Sequence, residues 1–465
     1  MKPTRSLQAL IRVGIVVFCA AWLMPPGGAD VAHAWGDPPM DAGLPATPPK
    51  KPAAKKTSEK PAAAAKKPAA TNAPPARVQT VRRAIPRETA PSGLPPEGET
   101  RFIEDQVIVR YRLGARQSAM DALVRQLNLL HVEGRTFVLP GVTVHLYRIT
   151  DGSSVAEVIA ALEADPTVVY AQPNYLYELL QSAGAASGPQ YALERLAIGP
   201  AHELATGYGV RIAVIDSQID AAHAEFGKAK IEVLDATGET DAPAHAHGTS
   251  IAGIIASRGT LLGISPDVGL VGIRAFLEDE SRASAYSTTW RVAAGLDQSL
   301  AAQARIVNMS FAGPQDPLVG GSVAGLVGRG MIGVAAAGNE GPEARPLYPA
   351  AYPGVIAVTA VDKDNVIYGR ANQGAHVALA APGVDILVPV PSNGYQLSSG
   401  TSLAAAHISG LAALMLSREP SLTAAEVAEI LLSSSADLGS PGRDAVFGAG
   451  LPDALMAIKS VLKSQ

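Results

Sequence analysis

From residue 209 onward the sequence repeats one pattern: a short run of almost wholly apolar residues, then a longer stretch with helical spacing. Residues 209–216, 268–275, 306–309, 331–337 and 355–361 are such runs. A strand with no polar face must be covered on both sides. Apolar strands that alternate with helices therefore specify a doubly wound, mostly parallel α/β sheet with helices on both faces. Active sites in such folds lie beyond the carboxyl ends of the strands. The run at 209–216 ends on Asp216, which puts a carboxylate at one of those ends.

Two further polar clusters could meet that carboxylate. His245-Ala-His-Gly-Thr opens a run of small and apolar residues, so His247 stands at the start of a helix. A metal pair of His245 and His247 has no neighbouring Cys, His or carboxylate set to complete it. In Ser398-Ser-Gly-Thr-Ser402, Gly400 permits a close backbone approach and Ser402 opens a long apolar helix. A helix N-terminus offers free N–H groups and a positive field to a developing oxyanion. Each feature taken singly has a plain reading, as a strand-end acid, a helix-start histidine and a serine N-cap.

Together these segments resemble the signature blocks of the subtilisin family. Asp216-Ser-Gln-Ile-Asp220, His247-Gly-Thr249, Ala337-Gly-Asn-Glu-Gly341 and Gly400-Thr-Ser-Leu-Ala-Ala-Ala-His407 occur in the family's order, 31 and 155 residues separating the three reactive positions. The chain order Asp, His, Ser is that of subtilisin. The resemblance implies a Ser/His/Asp triad of Ser402, His247 and Asp216 acting through an acyl-enzyme. It implies that Asn339 and the Ser402 N–H hold the oxyanion; loss of such an Asn costs subtilisin itself about 100- to 1000-fold in turnover. It also assigns Ser310, Phe311 and Ala312 to a strand that pairs with substrate, and Leu347 to the specificity pocket. Side chains at Ala312 and Leu347, where relatives often have glycine, lead to an expected preference for small residues before the cut bond.

Upstream, residues 101–180 give a strand at 106–112, a helix at 118–130, a strand at 142–148, a helix at 154–163 and a strand after 165. This is a small α+β, ferredoxin-like unit. It resembles the inhibitory propeptide that precedes many subtilisin domains, which implies a precursor that processes itself and is inhibited by its own segment. The tail 181–188 is made mostly of small residues, as a self-cleavage segment should be. The expected division is a signal peptide over 1–34, a linker over 35–100, the propeptide over 101–180 and the peptidase domain over 181–465.

The first segment has Lys2, Arg5 and Arg12 before a 12-residue apolar run at 13–24, then Ala32-His33-Ala34. That is the layout of a cleaved secretory signal, and a spanning helix needs roughly 20 apolar residues. An uncleaved anchor is the alternative. Cys19 is the chain's only cysteine, so the mature form can persist in an oxidising compartment without disulfides. The linker carries 11 Lys and Arg against 6 Asp and Glu, whereas residues 181–465 carry 17 against 26. A basic segment beside an acidic globule is read as a solvated spacer, with contact to an anionic envelope as the sharper alternative. No nucleic-acid partner is expected, and a monomer is.

Departures from the family pattern are Gln218 for a usual Gly, Ala406 for Pro and Ser250 for a frequent His. Gln218 would be strained if the backbone there required positive φ. No cofactor is expected: calcium is the one candidate, and the loop 256–264 is shorter than the family's calcium loop and lacks its Asn residues. Two rivals to the peptidase reading are a catalytically inactive, binding-only relative and an envelope protein whose linker is the working part.

Overall fold

Alternation along β1 (Phe102–Tyr111) sends Val107 and Val109 to one face and Ile108 to the other, yet all three are fully buried. A sheet with two apolar faces needs two covers, and the chain supplies both. The computed structural model describes residues 92–180, 182–183, 190–227, 229, 231–239, 242–278 and 284–463. The expected signal peptide and nearly all of the linker lie outside the described residues.

β1 is followed by α1 (Gln117–Gln126), β2 (Leu129–Phe137), β3 (Val142–Ile149), α2 (Val155–Ala164) and β4 (Val168–Leu179). The strands pair antiparallel in the order β4-β1-β3-β2. Both helices cover one face, where Leu123, Val155, Val158, Ile159 and Leu162 meet Val107 and Val109. Ser154 starts α2 with a reciprocal capping box to Glu157. The helix expected over 118–130 stops at Gln126, because Asn128 takes a left-handed backbone (φ 49°) and turns the chain into β2. β2 itself was not expected. It is an edge strand, largely exposed, so its sequence carries no clean apolar alternation.

The second face of this sheet rests on the larger unit. A two-residue strand β5 (Ser182–Ala183) leads to short helices α3 (Tyr191–Arg195) and α4 (Ile198–His202). Then come β6 (Arg211–Asp216), β7 (Ile231–Asp235), α5 (Ala246–Ala256), β8 (Gly269–Arg274), β9 (Tyr286–Thr288), α6 (Thr289–Ala301), β10 (Ile306–Met309) and β11 (Phe311–Ala312). The chain continues with α7 (Pro317–Gly328), β12 (Ile332–Ala336), β13 (Val355–Val361), β14 (Val377–Pro382), β15 (Ile386–Val390), β16 (Gly394–Ser399) and α8 (Thr401–Arg418). Seven strands form a parallel sheet in the order β14-β13-β12-β10-β6-β8-β7. The doubly wound reading of the sequence is therefore correct. α8 lies on one face of this sheet and packs against α5.

Ile108, Phe137, Val144 and Leu146 of the small unit pack on Trp290, Ala293, Ala294 and Leu318 of α6 and α7. Polar contacts fix the orientation. Trp290 Nε1 donates to Glu133 (2.9 Å), and Asp297 accepts the N–H of Val138 (2.6 Å) and of Leu139 (2.9 Å). Asp316, wholly buried, caps α7 through the N–H of Leu318 and Val319. The same carboxylate accepts from Gln172 (2.9 Å), Tyr177 (3.1 Å) and Thr289 (2.6 Å). Burial pushes this carboxyl above the usual range despite those donors.

α8 is buried along almost its whole length and carries no charge before Arg418. Inside it, His407 Nδ1 lies 2.8 Å from the Leu403 carbonyl, and burial pushes the imidazole pKa down from 6.5 to about 4, against the pull of the Leu403 and Pro382 carbonyls. A histidine that protonates more readily unfolded than folded contributes stability above pH 6.5, and that contribution drains away as pH falls towards 4. About 3 kcal/mol of stability should be lost over that interval through His407 alone. Denaturant unfolding at pH 7 and pH 4 checks this: a His407→Gln chain should lose correspondingly less, and an identical acid loss in both chains would contradict it.

Candidate active site

Three elements converge at the carboxyl edge of the parallel sheet. β6 delivers Asp216, α5 delivers His247 in its first turn, and α8 delivers Ser402 as its second residue. His247 Nδ1 lies 2.8 Å from each Asp216 carboxylate oxygen. Asp216 also accepts from Ser217, through the backbone N–H (2.7 Å) and Oγ (3.0 Å). Ser217 Oγ in turn accepts the Gly248 N–H at 3.0 Å. A Cβ at Gly248 would stand 2.5 Å from the Ser217 carbonyl and 3.2 Å from Asp216 Oδ1, so only glycine lets α5 come this close. His245 caps the helix, its Nδ1 accepting the His247 N–H (3.1 Å) and standing 3.0 Å from Ser217 Oγ. Burial, then the neighbouring His247, hold His245 below its ordinary pKa. That suits an acceptor nitrogen, since protonation would turn it into a donor.

Ser402 does not hydrogen-bond to His247 here. Its Oγ donates to the carbonyl oxygen of Leu180 at 2.5 Å, while His247 Nε2 is buried and has no hydrogen-bond partner. The chain itself occupies the cleft. The end of β4 runs as a middle strand, pairing antiparallel with β11 (Leu179 opposite Phe311, Glu178 opposite Ala312) and with β9. Beyond Leu180, β5 pairs antiparallel with β16, Ser182 opposite Ser399 and Ala183 opposite Ser398. Leu180 is buried and joins the apolar cluster that includes Ala312, Ala336 and Leu347.

The remaining positions singled out in the sequence are distributed around this thread. Asn339 Oδ1 accepts from the Thr401 N–H (3.1 Å) and Oγ1 (2.9 Å), which turns its amide nitrogen away from Thr401. Phe311 and Ala312 line the tail through their backbone. Ser310 does not face the tail with its side chain: Oγ is 3.0 Å from the Ser402 carbonyl and 2.8 Å from Asn308 Oδ1, beneath the serine. Leu347 is buried beside Gly338, where a Cβ would come within 2.8 Å of it. Gln218 is free of the strain considered above, since its backbone is not left-handed. Sequence reasoning missed Ser217, His245 and Thr401 as supports. Their signal was adjacency, since each stands within two residues of a triad position.

Residues 207–450 match the Peptidase S8 subtilase family. The chain belongs to the subtilase family. Residues 88–174 match the fervidolysin N-terminal prodomain, which places the small α+β unit as a prodomain. This subtilase is 32% identical to subtilisin amylosacchariticus of Bacillus subtilis subsp. amylosacchariticus over 294 residues, 61% of the chain and 74% of the relative. It is 34% identical to subtilisin of Bacillus pumilus over 245 residues, 50% of the chain and 86% of the relative. The crystal structure of fervidolysin from Fervidobacterium pennivorans, a keratinolytic enzyme related to subtilisin, shares the fold at TM-score 0.68 and 24% identity. That match covers 79% of this chain and 62% of fervidolysin. The subtilase is accordingly a serine protease with a prodomain.

Proposed function

We propose that the chain is an extracytoplasmic serine endopeptidase whose first substrate is its own Leu180–Gln181 bond. One observation carries this: Ser402 Oγ lies 2.5 Å from the Leu180 carbonyl oxygen. Strand pairing holds the chain on both sides of that bond. This is the posture of a substrate. Backbone pairing aligns it, and a hydroxyl rests against the carbonyl it will attack.

In the proposed reaction Ser402 Oγ adds to the Leu180 carbonyl carbon as His247 Nε2 takes its proton. Asp216 holds Nδ1–H on the far side, fixing the tautomer and stabilising the imidazolium. The Asn339 amide and the Ser402 N–H receive the oxyanion. Collapse expels the Gln181 amine, protonated by His247, and water then releases the Leu180 carboxylate from the acyl-enzyme. After the cut, β4 remains paired with β11 and β9 as a product-like inhibitor until the prodomain leaves.

The same groove would take extended segments of other proteins. Ala312 and Leu347 would narrow the pocket, but the residue that precedes the proposed cut, and that shares their apolar cluster, is a leucine. The proposed preference is therefore for apolar residues up to the size of leucine, in place of the small residues expected from the sequence. The N-terminal signal pattern supports export, and the basic linker suits an anionic envelope. Among the described residues no helix is long and apolar enough to cross a membrane. N-terminal sequencing of purified protein tests the reading. Wild type should begin at Gln181 and Ser402→Ala should stay joined across that bond; a different start, or equal processing in both, would overturn it.

A further inference from the structure

The subtilase resemblance brings with it a calcium loop, and the residues at that place do not fit the ion. Calcium takes six to eight oxygen ligands, with carboxylates turned towards it. The segment 256–264 contains no Asp, Glu, Asn or Gln. Among the described residues the carboxylate that meets its backbone, Glu225, is fully buried and turned to a different use; Asp267, exposed, pairs instead with the Arg258 side chain at 3.3 Å. Glu225 stands in a single 3-10 turn, Ala224–Phe226. Its oxygens accept the backbone N–H of Gly259 (3.1 Å), Thr260 (3.0 Å) and Leu261 (3.1 and 3.0 Å), and the Tyr395 hydroxyl (2.6 Å). Its backbone carbonyl accepts the Arg258 N–H at 2.8 Å. Four donors converge on two oxygens, and their positive ends occupy the lone pairs that a cation would need.

The other edge of the loop is closed in the same way. Gln190 accepts the Leu262 N–H and donates to the Leu262 carbonyl, both at 2.9 Å. The approach is tight: a Cβ on Gly259 would come within 2.9 Å of Glu225 Oε2. The loop follows directly on α5, whose first turn holds His247, so whatever fixes the loop also fixes the far end of that helix.

We propose that the Glu225 carboxylate, with Gln190, is a built-in replacement for the calcium ion at this loop, and that the folded precursor needs no calcium. The negative charge that would bind the cation elsewhere is here spent on backbone amides, and the clasp is carried by the chain itself. Thermal unfolding of the full Ser402→Ala chain tests this without interference from self-digestion or from the catalytic reading. With Glu225 intact, Tm should be the same in excess EDTA and in millimolar calcium. Glu225→Ala leaves three backbone N–H groups without their acceptor, that of Leu261 buried, and should lower Tm by about 5 °C or more. Glu225→Gln, which keeps the shape but turns an NH2 towards those donors, should lower it by a smaller amount if the Ala variant fails to fold. Calcium should restore neither. A Tm that falls in EDTA, or a Glu225→Gln chain as stable as the parent, would overturn the proposal.

Discussion

An Asp216→Asn precursor should cleave itself about 10⁴-fold more slowly than the parent, the effect of this change in an unrelated serine protease, while remaining folded. The reason lies in which nitrogen of His247 carries the proton. With a carboxylate 2.8 Å from Nδ1 at both oxygens, the hydrogen must sit on Nδ1, leaving Nε2 as a base. An Asn amide can instead present its own N–H to Nδ1. The imidazole then carries its hydrogen on Nε2, where it cannot accept the Ser402 proton. Asn has nearly the shape of Asp, and its oxygen can still receive the Ser217 N–H and Oγ that now bond to Asp216. The fold should therefore persist. The time course of cleavage at Leu180–Gln181, followed beside circular dichroism, separates the two effects. A rate within tenfold of the parent would show that the Asp216–His247 pair does not carry the chemistry.

The parts of this fold that could be read from sequence are those whose environment is uniform. β10 and β13 are buried on both faces, so their apolar runs mark their bounds exposed to no competing signal: residues 306–309 and 355–361 are strands from end to end. The edge strands β2 and β7 are mostly exposed along their lengths, and their sequences resemble loops. Asp216 and His247 were legible because each is set by local structure, one at a strand end and one in a helix's first turn. The seating of Leu180 was not. It depends on Leu179 meeting Phe311 and on Ser182 meeting Ser399, pairings that span well over a hundred residues and leave no trace within either segment. The small-residue expectation for the pocket rests on the Cβ atoms at Ala312 and Leu347 alone and carries nothing of which residue the chain itself would bring beside them. Asp316 is similar: its capping of α7 is local, whereas its use as an anchor for Gln172 and Tyr177 exists only once the two units meet.

Substituting Leu180 distinguishes the two views of that pocket most sharply. Leu180 is buried within the cluster that holds Ala312, Ala336 and Leu347, so its side chain contributes apolar burial to the bound state. Removing three carbons by Leu180→Ala should cost about 2 kcal/mol, or about 30-fold in the rate of cleavage at this bond. Leu180→Asp places a carboxylate in an apolar pocket; a penalty of roughly 4 kcal/mol, about 10³-fold in rate, is expected. Neither change touches the backbone pairing of β4 with β11, so loss of rate reports on the pocket rather than on threading. The order parent, then Ala, then Asp follows from a site fitted to leucine. A pocket confined by Ala312 and Leu347 to small residues gives the opposite first step, with Leu180→Ala cut faster than the parent, and that result would return the specificity to the smallest side chains.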